Sequence, residues 1–196
     1  PEMSRGLGDV YKRQDQQEGY EALADMYEGL KQMDALLPAA REKVNAELGD
    51  RFAELCQQHK FFYILGSGPN FSQTYAMAIC SLMEMQWQHC CYIHSGEYFH
   101  GPFEVSTEGK PYVFFMSDGA TRPMDARALT FLKRMGAKVA LIDSKDYGLA
   151  DAVPASVVTY FNPLLHLAVM REYGNQIAEA RQHPLTMRRY MWKLSY

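Results

Sequence analysis

Two spacing patterns alternate along most of the chain. Short unbroken apolar runs occur at Phe61–Leu65, Cys90–Ile93, Tyr112–Met116 and, after Lys138, at Val139–Ile142, with a shorter β-branched run at Val157–Thr159. Runs of that length, bounded by turn residues, predict strands buried on both faces of a parallel sheet. Between them, apolar residues recur at helical spacing over Phe71–Gln88, Met124–Met135 and Pro163–Ala180. Strand, helix, strand in that order predicts an α/β fold: a five-stranded parallel sheet flanked by helices in a three-layer sandwich.

Ahead of this body, Tyr20, Leu23, Tyr27, Leu30 and Met33 share one helical face, and Pro38 opens a second helix through Val44, Leu48, Phe52 and Leu55. The two modest apolar faces predict an arm that packs on something else, such as another domain or a second subunit. The first residues, 1–14, show no periodicity and open on Pro1. They read as a non-native or disordered leader on a fragment. The expected organisation is therefore 1–14 leader, 15–58 helical arm or linker, and 59–196 globular domain with a C-terminal tail.

Composition adds exclusions. Hydrophobic residues make up 47% and charged residues 22%, enough for a packed core and too apolar for a disordered chain. The net charge of -3 and a basic cluster limited to Arg188-Arg189 give no nucleic-acid face. No apolar stretch approaches the roughly 18–20 residues of a membrane span, and no secretory signal is visible. The four cysteines, Cys56, Cys80, Cys90 and Cys91, form no C-x-x-C pair and read as reduced, buried thiols, which suits a cytoplasmic location.

Candidate chemistry gathers at four places. Gly66-Ser67-Gly68 joins the first strand to a helix, where glycines admit a close ligand approach; a plain tight turn explains them equally well. Glu84 is a carboxylate in the almost wholly apolar segment Met77–Trp87. Burial there would suit it to carry protons near neutral pH; the bland alternative is a solvent gap or a pairing arginine. His94, Glu97 and His100 share the loop HSGEYFHGPFE, whose spacing is not that of a zinc protease, so no metal is expected and an acid–base histidine is the better reading. In the tail, Arg188, Arg189 and Lys193 lie among aromatic residues, placed either to dock on the surface or to clamp an anionic substrate.

GSGPN, CSLMEMQWQ, HSGEYFHGPFE and HPLTMRRYMWKLSY together resemble the second SIS (sugar isomerase) domain of fructosamine-6-phosphate deglycases, over about Lys60 to Tyr196. A more distant likeness runs to the isomerase half of glucosamine-6-phosphate synthase. The resemblance implies that Glu84 and His100, 16 positions apart, form the catalytic acid–base pair, with no cofactor. It implies a double-SIS enzyme whose absent first domain grips the sugar phosphate, with Asp15 to Cys56 as the connection. It also implies a homodimer in which His100 could serve the neighbouring subunit. The loop Ser117–Thr121 is a poor phosphate cradle because Asp118 would repel an anion. Where the synthase carries its Schiff-base lysine, this sequence has Arg189, with Lys193 four residues off register; an Amadori substrate already carries its nitrogen. The alternatives are an aldose–ketose isomerase or amino-sugar deaminase, or a non-catalytic sugar-phosphate sensor.

Overall fold

The computed structural model describes residues 10, 12–13, 15–47 and 49–195. Four strands, β1 (Phe61–Gly66), β2 (His89–His94), β3 (Pro111–Met116) and β4 (Lys138–Asp143), form one sheet in the order β2-β1-β3-β4. Every pair is parallel. The helices are α1 (Leu23–Glu47), α2 (Gly49–Gln58), α3 (Phe71–Ala76), α4 (Arg122–Arg134), α5 (Leu149–Ala152) and α6 (Val158–Ala180).

Side chains alternate across the sheet with the period of two that a pleated strand imposes. Phe62, Ile64, Val113 and Phe115 face a core shared with α1 and α6, while Leu65, Tyr112, Phe114 and Met116 face one shared with α4. All six residues of β3 are buried, as a central strand requires. The expected three layers are present.

The expected fifth strand is absent among the described residues: Val157 and Val158 are buried at the start of α6, which begins five residues before Pro163. A proline there deprives the Thr159 carbonyl of its helical donor. Asn162 Nδ2 supplies one instead, lying 3.1 Å from both the Thr159 and Val158 carbonyls. The helix therefore starts early, and the β-branched triplet is helical.

The helical arm is also corrected in part. α1 is continuous through Pro38, because Met26, Met33, Ala40 and Val44 stay on one buried face across it. That face packs on α6 of the same chain. The Arg41 Nε–Glu172 Oε1 pair at 2.5 Å ties the two helices further, and Lys43 Nζ donates to the Asp146 carbonyl in the turn after β4. Most of the 1–14 leader lies outside the described residues, as does Leu48; Val10, Lys12 and Arg13, read as aperiodic, have helical backbone. Cys56 and Cys90 are buried, but Cys80, on the Met77–Glu84 segment, and Cys91, on the edge strand β2, are exposed.

Candidate active site

The segment after α3 does not continue as an α-helix. Met77–Glu84 winds as wider π turns, a form that is rare and often found at functional sites. The widening alters the angular phase, so Glu84 arrives at the rim of the apolar segment. The segment stops at Trp87, which takes a left-handed backbone conformation (φ 52°). Gln88 N–H then closes on the Leu82 carbonyl at 2.8 Å, a helix-ending loop normally built on glycine.

Glu84 is consequently not a buried, unpaired acid. Its side chain is 32% exposed, and Oε1 lies 3.0 Å from Arg188 Nη2 of the tail. The pairing arginine that sequence left as the bland alternative is the one observed. Glu84, Trp87, His89, Arg188, Arg189 and Tyr190 line an open cavity of about 720 Å³. The tail both docks and faces this cavity. The Arg189 guanidinium sits 4.2 Å from the centre of the Trp87 ring, a cation–π contact. Arg181 Nη1 donates to the Gln86 carbonyl at 2.7 Å, and Gln86 Nε2 donates to the His183 carbonyl at 2.9 Å.

His100 lies elsewhere. It ends a short 3-10 turn (Tyr98–His100) in the loop after β2, is exposed, and does not line the cavity. His89, at the start of β2, lines the cavity, whereas the His100 loop leaves from His94 at the other end. Six residues of strand span about 17 Å. Within one chain the two candidate residues therefore stand beyond opposite ends of β2. The His100 loop is fixed from beneath: Tyr98 is fully buried, its hydroxyl 2.6 Å from Ser106 Oγ, which lies 2.8 Å from the Tyr112 hydroxyl. Phe99 and Phe103 pack on Phe131 of α4.

Gly66, Ser67 and Gly68 sit at the His100 end of the sheet, at the point where the helices after β1 and β3 depart to opposite faces. Their glycines have packing reasons. A Cβ on Gly66 would lie 2.7 Å from Thr74 Cγ2, and one on Gly68, which has φ 55°, would lie 2.8 Å from Thr121 Cγ2. Ser67 Oγ is buried without a partner. Nearby, His94 receives the Gly96 N–H at Nδ1 (3.0 Å). In the Ser117–Thr121 loop, Ser117 N and Oγ donate to Asp125 Oδ2, and Asp118 N donates to Asn162 Oδ1. Among the described residues no group of three His, Cys, Asp or Glu side chains is placed to hold a metal ion, and no helix is long and apolar enough to cross a membrane.

The sequence named Glu84 and Arg189, which the structure brings to one cavity. It missed Trp87 as the floor beneath Arg189 and Arg188 as the partner of Glu84. No local pattern could pair residues 104 positions apart.

No protein-family model matches the chain. The chain is 43% identical over 169 residues to fructosamine deglycase FrlB of Bacillus subtilis, covering 86% of this chain and 51% of that protein. It is 36% identical over 97 residues to fructoselysine 6-phosphate deglycase of Escherichia coli K12, covering 50% of this chain and 28% of the relative. Among solved structures, a phosphosugar isomerase from Salmonella typhimurium LT2 superposes with a TM-score of 0.89 at 42% identity, over 93% of this chain and 56% of that one. The C-terminal domain of glucosamine-fructose-6-phosphate aminotransferase from Francisella tularensis shares the fold, with a TM-score of 0.67 at 19% identity over 83% of this chain and 47% of that one. The chain thus spans about half the length of these relatives. The resemblance drawn from the motifs to deglycases and SIS proteins holds, as does the α/β fold it implied.

Proposed function

We propose that this chain is the acid–base half of a deglycase that cleaves fructosamine 6-phosphates to glucose 6-phosphate and a free amine or amino acid. The observation that carries the reading is the Glu84 carboxylate opening, beside two guanidinium groups, into a cavity large enough for a sugar derivative. The names of the relatives supply the substrate class.

In this reading His100 assists ring opening by moving a proton between the ring oxygen and the anomeric hydroxyl. Glu84 takes a proton from carbon 1 of the open ketoamine, giving an enaminol, and a proton returns to carbon 2. The resulting aldimine is hydrolysed by water to the aldose phosphate and the amine. Each positioned acid–base group is worth about 10²–10⁴-fold. Because Glu84 and His100 lie beyond opposite ends of β2, the chemistry requires a homodimer in which His100 of one copy enters the Glu84 cavity of the other. The Gly66-Ser67-Gly68 turn would approach the neighbour's substrate with it, and Arg189 would contact the substrate away from its phosphate.

A first SIS domain, beyond this chain, is proposed to grip the phosphate. The Ser117 and Asp118 donors, engaged by Asp125 and Asn162, and the buried Asp118 support that division of labour. The mechanism asks for no cofactor, and the setting is proposed to be the cytoplasm. The test is release of glucose 6-phosphate from fructoselysine 6-phosphate by the full-length protein and by its Glu84→Gln variant. A variant that keeps wild-type turnover removes Glu84 as the base; binding without turnover by the wild type marks a sensor instead.

A further inference from the structure

Resting on Glu84 as the proton-transfer group, the geometry points to Arg188 as its positioning residue, the side chain that selects which carboxylate oxygen faces the substrate. Arg188 is 12% exposed and is itself anchored. Its Nη1 donates to the carbonyls of Leu185 (2.6 Å) and Met187 (3.0 Å), so the guanidinium plane is fixed by its own turn of backbone. Nη2 then reaches Glu84 Oε1 at 3.0 Å. Oε1 is the carboxylate oxygen nearest the Arg188 guanidinium, which leaves Oε2 as the oxygen for the reacting carbon.

The need for such a partner follows from where Glu84 sits. It ends a π-wound segment at the rim of a cavity, where a glutamate side chain without a partner would sample several rotamers. The tail is tied to that same rim on both sides, through Arg181 to the Gln86 carbonyl and through Arg189 to the Trp87 ring. The anchor of Arg188 is therefore held in register with the carboxylate it orients. A displacement of about 1 Å in a reacting group costs about 100-fold in rate.

The test compares Arg188→Gln and Arg188→Lys with wild type in the full-length protein. The glutamine variant is expected to lower kcat by about 100-fold with KM changed by less than about threefold, and lysine, which keeps the charge, to restore all but about tenfold. Wild-type kcat in Arg188→Gln overturns the assignment. So does an equal loss in both variants accompanied by a raised KM, which would mark Arg188 as a tail-docking residue only. If the wild type itself releases no glucose 6-phosphate, the functional reading has failed, and a second readout decides the positioning claim. In this chain labelled with δ-13C glutamate, the Glu84 carboxyl resonance, identified by its loss in Glu84→Gln, is expected to move in Arg188→Gln and to move less in Arg188→Lys. An unmoved resonance overturns the proposal whatever the activity.

Discussion

Asp118 and Asn162 exchange two hydrogen bonds: the Asp118 N–H donates to Asn162 Oδ1 at 2.6 Å, and Asn162 Nδ2 donates to the Asp118 carbonyl at 2.8 Å. Asn162 is fully buried, and its Oδ1 also receives the Ser144 hydroxyl at 2.6 Å. One side chain thus joins the loop after β3, the turn after β4 and the first turns of α6.

Replacing Asn162 by alanine strands several buried backbone groups at once, each worth about 1–3 kcal/mol when left unpaired. We expect a loss of roughly 3 kcal/mol or more in urea unfolding. A loss under about 0.5 kcal/mol, the scale of an ordinary surface substitution, would show that the exchange does not hold in solution.

The same contact explains why the sequence was only partly legible. β1 to β4 were readable to within about one residue because a run of buried apolar side chains flanked by turns has few other folds available. Val157-Val158-Thr159 has the composition of a strand, yet Asn162 is a donor for the carbonyl that Pro163 leaves open, and that rescue is tertiary in effect. The face of α1 was visible, but that it packs on α6 was not, because no pattern names a partner across the chain. The chemistry at Glu84 was visible as a carboxylate among apolar residues. The π winding that turns it to the rim left no trace in spacing, nor did Arg188.

Acid sensitivity follows from His166. It is fully buried between Asn70 (2.6 Å from Nδ1) and Ser144 (2.9 Å from Nε2), and burial pushes its pKa down to about 3 from 6.5, against the attraction of Asp143. The unfolded chain takes up this proton below pH 6.5 and the folded chain does not until about pH 3. Stability is therefore complete above pH 6.5 and falls as pH drops through that window, at a limiting slope of about 1.4 kcal/mol per pH unit for one proton. Asp143 is opposed by burial, but its bonds to Arg122 and the Lys145 N–H leave its pKa below the usual value. Its contribution has the same sign and is lost at lower pH. Urea unfolding between pH 7.5 and 4.5 should show this slope in wild type and a shallower one in His166→Gln; parallel curves would remove His166 as the cause.

Gly66 predicts a packing cost. Its absent Cβ lets Thr74 of α3 approach β1, so Gly66→Ala forces the helix away from the strand. We expect about 1–3 kcal/mol of destabilisation, the usual range for overpacking. Gly66→Ala with a compensating Thr74→Ser, which removes Cγ2, should recover most of it. No recovery would place the strain elsewhere.

Thiol reactivity should divide the four cysteines. Cys80 and Cys91 are exposed, while burial pushes the Cys56 and Cys90 thiols up to about 12. Under native conditions at pH 8 a disulfide reagent should label Cys80 and Cys91, and Cys56 and Cys90 only after denaturation. Rapid native labelling of Cys90 would contradict the buried face assigned to β2.

The most direct test of the central claim is complementation between two inactive variants of the full-length protein, Glu84→Gln and His100→Ala. If a working site takes Glu84 from one copy and His100 from its partner, co-refolding equal amounts restores roughly a quarter of wild-type turnover, because half the dimers are mixed and each holds one intact site. If both residues act within a single chain, the mixture stays as inactive as its components, and the account of the site is wrong.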